Sequence, residues 1–338
     1  MNIWVDIANP PQVLFMQPLI GEMQRRKHRV FVTTRHHSEA VELADHYGLS
    51  HKAIGAHGGG SSTGKGIATI VRALQLAQYL ASKKINLAVS GSSYSQAVAA
   101  KLLHIPFVTL TDYEGNPGLH IVCRVARKIL TPRFFAGQNL LRYGALENKI
   151  VHYNGLKENI YLDLFVPAPS FWENTGIPAE KFMITMRPES DVSAYHQFEN
   201  PLFDETLEYL AHQKDTFIVL LPRNAKQKEK YQALGLPNLF IPSRVLSGPD
   251  LIYHSDLVVG AGGTMNREAV VLGNIVYSLF MGQIGSVDKY LIDTGKMHWI
   301  GSTSEIPTIE IRKKHLRRRD HADDTLAREV TDLILESV

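Results

Sequence analysis

Chemistry-bearing side chains in this sequence gather just after short apolar runs. The stretch VVGAGGTMNREAVVLG, Val258 to Gly273, passes from an apolar run through Gly262 and Gly263 into Thr264, Met265, Asn266 and Glu268. Glycines let a backbone approach a ligand closely, and the first turn of a following helix carries unpaired amides and partial positive charge, which suits a phosphate or diphosphate. With Thr264 as N-cap, Glu268 lies one turn further on. A carboxylate there repels phosphate but accepts hydrogen bonds from the two hydroxyls of a ribose. A tight turn carrying a solvated glutamate is the plainer alternative.

Other chain segments offer acids, bases and cations. DIANPPQ places Asp6 at the end of the first apolar run, ahead of Asn9 and Gln12, and TLTDYEGNPG ends another with Asp112 and Glu114. Carboxylates at strand ends are candidate general bases, because a hydroxyl nucleophile must lose a proton as it attacks. Asp6 as a partner for its own loop, and Asp112 and Glu114 as solvated carboxylates, are the structural readings. TMRPESD and LLPRNAK set Arg187 and Arg223 after successive runs, where guanidinium groups neutralise a diphosphate leaving group without a metal. SGSSYSQ presents the hydroxyls of Ser92 and Tyr94 to a sugar, or caps a helix.

GAHGGGSSTGKG, residues 55–66, nearly matches a phosphate-binding P-loop, but Gly66 stands where a Ser or Thr must reach Mg²⁺. A nucleotide triphosphatase is therefore rejected, and His57 and Lys65 stay as minor loop candidates. The 15 histidines include no pair at metal-ligand spacing. No metal and no cofactor is expected, a nucleotide sugar being a substrate; His196 reads as a loop histidine and the single Cys123 as a packing residue.

These loops need elements to hold them. Short apolar runs alternate with amphipathic stretches of helical length: NIWVDI, RVFVTT, INLAVSG, PFVTLTD, KFMITM, TFIVLLP, DLVVGA and IVYSLF read as strands, with helices between them. That pattern predicts an α/β protein of parallel sheets covered on both faces. The 338 residues suit two domains, expected as a doubly wound acceptor-side domain over 1–163, a linker over 164–178 and a doubly wound donor domain over 179–338. The last helix, DDTLAREVTDLILES, is free to pack back on the first domain. A cleft between the carboxyl ends of the two sets of strands is the expected ligand site.

A net charge of +3 is too small for a nucleic-acid groove. The basic run RKKHLRRRD, Arg312 to Asp320, reads as a solvated surface, with an anionic membrane as the sharper alternative. The N-terminus lacks a basic region followed by an apolar core, and no segment approaches 18 uninterrupted apolar residues. A cytoplasmic protein, with peripheral contact at the inner face of the membrane, is the expectation.

The motifs resemble the GT-B glycosyltransferases, and among them the peptidoglycan transferase that adds N-acetylglucosamine to a lipid-linked muramyl acceptor. Its SGALTVSE segment is similar to AGGTMNRE, Ala261 to Glu268, and TDYEGNPGL is similar to its HEQNGIAGL, with Asp112 in place of a glutamate. The resemblance implies ribose binding by Glu268 and diphosphate binding by Gly262, Gly263 and Thr264. The whole chain more closely resembles a GT-B-like family without an assigned reaction, whose members begin with DIxNPPHVHF-like text and carry GLKE and GAGGTMxREAA. Gln12 stands where that pattern has a histidine, which shifts weight for the base to Asp6 and Asp112.

The non-hydrolysing UDP-N-acetylglucosamine 2-epimerases share the fold. They carry DSGG before a glutamate pair, where this chain has GAGG with Glu268 one place later, and a His-Arg-x-Glu-Asn segment where it has MRPES. The implied function is a metal-independent transferase that moves a sugar, UDP-linked, to a hydroxyl of a glycan or lipid-linked acceptor. A sugar-nucleotide epimerase using Asp112, Glu114 and His196, and a non-enzymatic nucleotide-sugar-binding protein, are the alternatives.

Overall fold

A computed structural model describes residues 1–36, 40–56, 62–189, 201–244, 246–314 and 319–337, without the side chains of residues 62, 63 and 65. Contacts divide the chain into two compact units, Met1–Asp163 with Asp323–Val338, and Leu164–Ala322.

The first unit runs β1 (Asn2–Ile7), α1 (Pro10–Arg25), β2 (Arg29–His36), α2 (Ala40–His46), β3 (His51–Ala56), α3 (Ser62–Leu80), β4 (Leu87–Ser90), α4 (Tyr94–Leu102), β5 (Phe107–Leu110), α5 (Leu119–Val125), β6 (Lys128–Pro132), β7 (Ile150–Tyr153) and α6 (Asn159–Leu162). Its seven strands are parallel, in the order β3-β2-β1-β4-β5-β6-β7. β4 and β5 are buried at every residue, as β1 is from its second residue on, because helices cover both faces. The order reverses between β1 and β4, so the loops after these two strands flank the switch point at which doubly wound sheets hold ligands. Pro10 and Pro11 start α1 where a missing amide costs nothing.

The second unit runs α7 (Phe171–Thr175), β8 (Phe182–Arg187), α8 (Pro201–Ala211), β9 (Thr216–Leu220), α9 (Ala225–Gln232), β10 (Leu239–Phe240), α10 (Gly248–His254), β11 (Leu257–Gly260), α11 (Gly263–Val271), β12 (Ile275–Ser278), α12 (Ser286–Asp293) and β13 (His298–Trp299). Its sheet is parallel in the order β10-β9-β8-β11-β12-β13. The reversal falls between β8 and β11, where Arg187 pairs in register with Gly260.

Two boundary expectations change. Residues 164–178 do not form a separate linker: Phe171 and Ile177 are buried in one cluster with Met183, Val219 and Leu251 of the second unit. The chain's last helix, α13 (Thr325–Leu335), belongs to the first unit, the packing that its sequence left open, so the second unit ends at Ala322. Leu326, Ala327, Val330 and Ile334 repeat at helical spacing and sink into the core that contains Met16, Leu19 and Ile160. Arg25 at the end of α1 and Arg26 just after it pair with Asp324 and Asp332 at the rim of this contact.

Candidate functional site

The second unit's switch point is built around the turn from β11 into α11. β11 is buried throughout, and Gly262 takes the N-cap position in an extended conformation with no side-chain cap. Thr264 is therefore the second residue of the helix and not its cap, a correction to the expected start. The first-turn amides of Gly263, Thr264 and Met265 point out of the helix end without a capping oxygen, as an anion site requires.

Two arginines stand at this turn. Arg223 donates from Nε to the Pro188 carbonyl at 2.8 Å, which fixes its guanidinium. Its Nη2 lies 3.0 Å from where a Cβ on Gly262 would stand, so a side chain there would crowd it. Arg187, at the end of β8, accepts the Ala261 amide on its carbonyl at 3.0 Å, and its Nε is buried with no hydrogen-bond partner among the described residues. The Arg223 guanidinium so placed adds to the positive end of α11.

The remaining turn residues separate into two kinds. Asn266 is buried and donates from Nδ2 to the Gly260 carbonyl at 3.0 Å, and a Cβ on Gly260 would lie 2.2 Å from its Oδ1. Met265 is buried against the same glycine. Both were expected to meet the ligand; instead they lock the turn from beneath. Glu268 lies in the next turn of α11 and is only 7% exposed. Arg267 was not singled out in the sequence. It forms a two-pronged pair with Asp288, Nε to Oδ1 at 2.6 Å and Nη2 to Oδ2 at 3.1 Å, and its Nη2 passes 3.1 Å from the Cβ position of Gly263. The only sequence signal was a basic residue in the second turn of a phosphate-type helix; its partner lies 21 positions away.

The first unit's switch point is occupied by its own side chains. Asp6 is fully buried and holds Arg72 through two hydrogen bonds of 2.9 and 2.7 Å, while Thr33 and Ser93 donate to it at 2.6 and 2.5 Å. Burial pushes its carboxyl up, but the Arg72 charge and the hydrogen bonds from Arg72, Ser93 and Thr33 outweigh it and hold the group below the usual value. A carboxylate with its lone pairs filled and no solvent access cannot take a proton from a substrate, so Asp6 is not the base. Arg72 also donates to the carbonyls of Ile54 and Thr34, tying α3 to the ends of β2 and β3. Gly55, at φ +75°, is needed beside it: a Cβ there would lie 2.7 Å from Arg72 Cγ.

Other first-unit candidates are committed to loop structure in varying degree. Gln12 accepts the Ala8 amide at 2.7 Å and donates to the Gly91 carbonyl at 2.5 Å, so it joins the two switch-point loops rather than meeting an acceptor. Ser92, at φ +62°, donates its hydroxyl to the Leu110 carbonyl at 3.2 Å. Tyr94 donates to Asn116, whose Oδ1 also accepts the Gly118 amide at 3.1 Å. Asn9 is exposed and accepts from Arg35 at 2.9 Å. Glu114 is buried, with Oε1 taking Asn139 Nδ2 at 2.9 Å and its carbonyl taking the Tyr143 hydroxyl. It holds the loop after β5 from inside, against the expectation of a base. Asp112 remains partly accessible, paired with Lys157 at 2.6 Å. His57, His196 and the Lys65 side chain lie outside the described residues. Cys123 is buried and its thiol is pushed up to about 11, an inert packing group as expected.

A family model described as "Protein of unknown function (DUF354)" matches residues 1–338. The chain belongs to this family. A relative in sequence is "Uncharacterized protein MJ0665" of Methanocaldococcus jannaschii, 27% identical over 312 residues that cover 90% of this chain and 89% of that protein. Among solved structures, the S. aureus MnaA–UDP co-structure aligns with a TM-score of 0.76 at 13% identity, covering 100% of this chain and 97% of that one. The UDP-GlcNAc 2-epimerase of Neisseria meningitidis bound to UDP-GlcNAc gives 0.76 at 14% identity, covering 99% and 100%. Anabaena Alr3699/HepE in complex with UDP and glucose gives 0.61 at 15% identity, covering 99% and 95%. At such identities the likeness shows the fold: this DUF354 chain has the GT-B-like α/β architecture of two parallel sheets. Among the described residues, no helix is long and apolar enough to cross a membrane.

Proposed function

We propose that this DUF354 protein binds a nucleoside-diphosphate sugar, UDP-linked, and transfers the sugar to a hydroxyl of a glycan or lipid-linked acceptor. The observation that carries this reading is the uncapped N-terminus of α11 beside the fixed guanidinium of Arg223. The diphosphate sits on the amides after Gly262, Arg223 and Arg187 take up its charge, and Glu268 accepts the ribose hydroxyls. The bond from the anomeric carbon to the diphosphate oxygen breaks with its electron pair leaving on UDP. A bond to the acceptor oxygen forms, and the hydroxyl proton passes to a carboxylate. Asp112 is assigned that role, because Asp6 and Glu114 are sunk into their loops. Arginines and helix amides stabilise the charge that develops on the leaving group, which is where electrostatic catalysis acts.

The UDP complexes of MnaA and HepE support the nucleotide by fold likeness. A second reading, epimerisation of a UDP-sugar, is favoured by TM-scores of 0.76 to the MnaA co-structure and the Neisseria epimerase against 0.61 to HepE. Incubation of UDP-GlcNAc with the protein separates the two. Transfer predicts UDP release that depends on an added hydroxyl acceptor; an epimer formed without acceptor supports the second reading; binding with neither leaves the non-catalytic alternative.

A further inference from the structure

The first unit carries a cation that its own fold leaves without a counter-charge. Among the described residues, only two buried guanidinium nitrogens lack a hydrogen-bond partner, Arg187 Nε in the second unit and Arg35 Nε in the first. Arg35 lies at the end of β2, where the ladder to β3 slips: Thr34 pairs with Ala53, but His36 pairs with Ala56. Irregularities of this kind re-aim side chains beside functional sites.

The surroundings of Arg35 hold it without neutralising it. Its Nη2 donates to Asn9 Oδ1 at 2.9 Å, and Asn9 is an exposed residue of the loop after β1, one of the two loops that flank the first unit's switch point. Among the described residues no carboxylate forms an ion pair with Arg35. The buried carboxylate of that region, Asp6, is taken by Arg72 through two hydrogen bonds. Burial and the Arg72 charge push the Arg35 guanidinium below its ordinary range, while Asp6 and Tyr94 pull it the other way. An arginine does not shed its proton to escape burial, so a negative group from outside is what relieves the charge. Arg35 keeps partial exposure through which such a group reaches it. A neutral sugar hydroxyl would supply a hydrogen bond but no counter-charge, whereas the oxygens of a phosphate or carboxylate match the guanidinium fork.

We propose that Arg35 recognises an anionic group, a phosphate or a carboxylate, on a ligand of the first unit, with Asn9 holding the guanidinium in place. This does not depend on the nucleotide-sugar reading; under that reading the group belongs to the acceptor, which is then an anionic one.

Nitrogen-15 spectra of the arginine Nε–H groups test it on the full chain, the Arg35 signal being the one lost in Arg35→Lys. Inorganic phosphate and acetate are titrated separately. The Arg35 signal is expected to shift saturably with one or both, at half-saturation of about 1–10 mM, the strength of one or two charged hydrogen bonds. A larger response to phosphate assigns a phosphate-bearing ligand, and a larger response to acetate a carboxylated one. Arg223→Ala is expected to leave the response unchanged, which separates it from anion binding at α11. Arg35→Gln is expected to melt within about 2 °C of wild type, because the fold gains little from a charge it does not pair. No shift with either anion overturns the proposal, as does a shift abolished in Arg223→Ala. A melting temperature lowered well beyond that margin gives Arg35 a structural role and overturns it too.

Discussion

Two glycines just ahead of α11, Gly260 and Gly262, have opposite duties, and this asymmetry is testable. A methyl group on Gly260 would stand 2.2 Å from Asn266 Oδ1 inside a buried strand end, while one on Gly262 would stand 3.0 Å from the end of an exposed arginine. Gly260→Ala should lower the melting temperature markedly, at a cost of about 1–3 kcal/mol for overpacking. Gly262→Ala should melt close to wild type yet weaken nucleotide binding, because it displaces Arg223 and crowds the amides; thermal melts with and without UDP read both effects. The sequence showed the glycines but not this division. A backbone that must approach a ligand and one that must admit a neighbouring amide select the same residue. Asp6 illustrates the same limit. Its place at the end of a strand was legible, but its partner Arg72 lies 66 residues away and is reached through α3. Asp6→Asn leaves the guanidinium buried and unpaired, and denaturant melts should show a loss of about 3–5 kcal/mol.

At the scale of elements, most buried strands and amphipathic helices were readable, with NLFI marking β10, whereas β13, two residues long, was not. So short a strand has no periodicity of its own and exists because its neighbour in the sheet offers a ladder. The segment 164–178 looked like a linker because its prolines and glycine mark turns. Its Phe171 and Trp172 instead close on His254 of α10, at ring distances of 4.3 and 5.0 Å. Neither ring nitrogen of His254 has a hydrogen-bond partner among the described residues, and burial holds its pKa below the ordinary value.

Lys314 packs nearby, its ammonium 5.4 Å from the Tyr253 ring, and burial pushes it down to about 7 although Asp256 pulls the other way. Between about 7 and the ordinary 10.5, the unfolded chain holds a proton at this lysine that the folded chain lacks. Stability of the second unit therefore falls as pH drops across that window and levels off for this lysine below about 7, while His254 adds a further fall below 6.5. Lys314→Met should raise the melting temperature at pH 7 and flatten its rise toward pH 10, measured by calorimetry across that range.

For the whole molecule, the alternation of strands and helices specified the α/β class and the strand ends that carry candidate groups. It did not show which strand ends were already filled. In the first unit Asp6, Gln12 and Glu114 satisfy their own loops, while in the second the α11 turn keeps uncapped amides beside Arg223. The second unit's turn was thus more legible than the first unit's strand ends, because an open helix end has a local signature and a filled switch point does not. The central claim is that this turn holds the diphosphate and Glu268 the ribose. Calorimetric titration of UDP into wild type, Arg223→Ala and Glu268→Ala tests it most directly. The account predicts saturable binding to wild type that each substitution weakens by about 1–3 kcal/mol, the scale for losing a charged hydrogen-bond partner. No binding to wild type, or equal affinity in all three proteins, would contradict it.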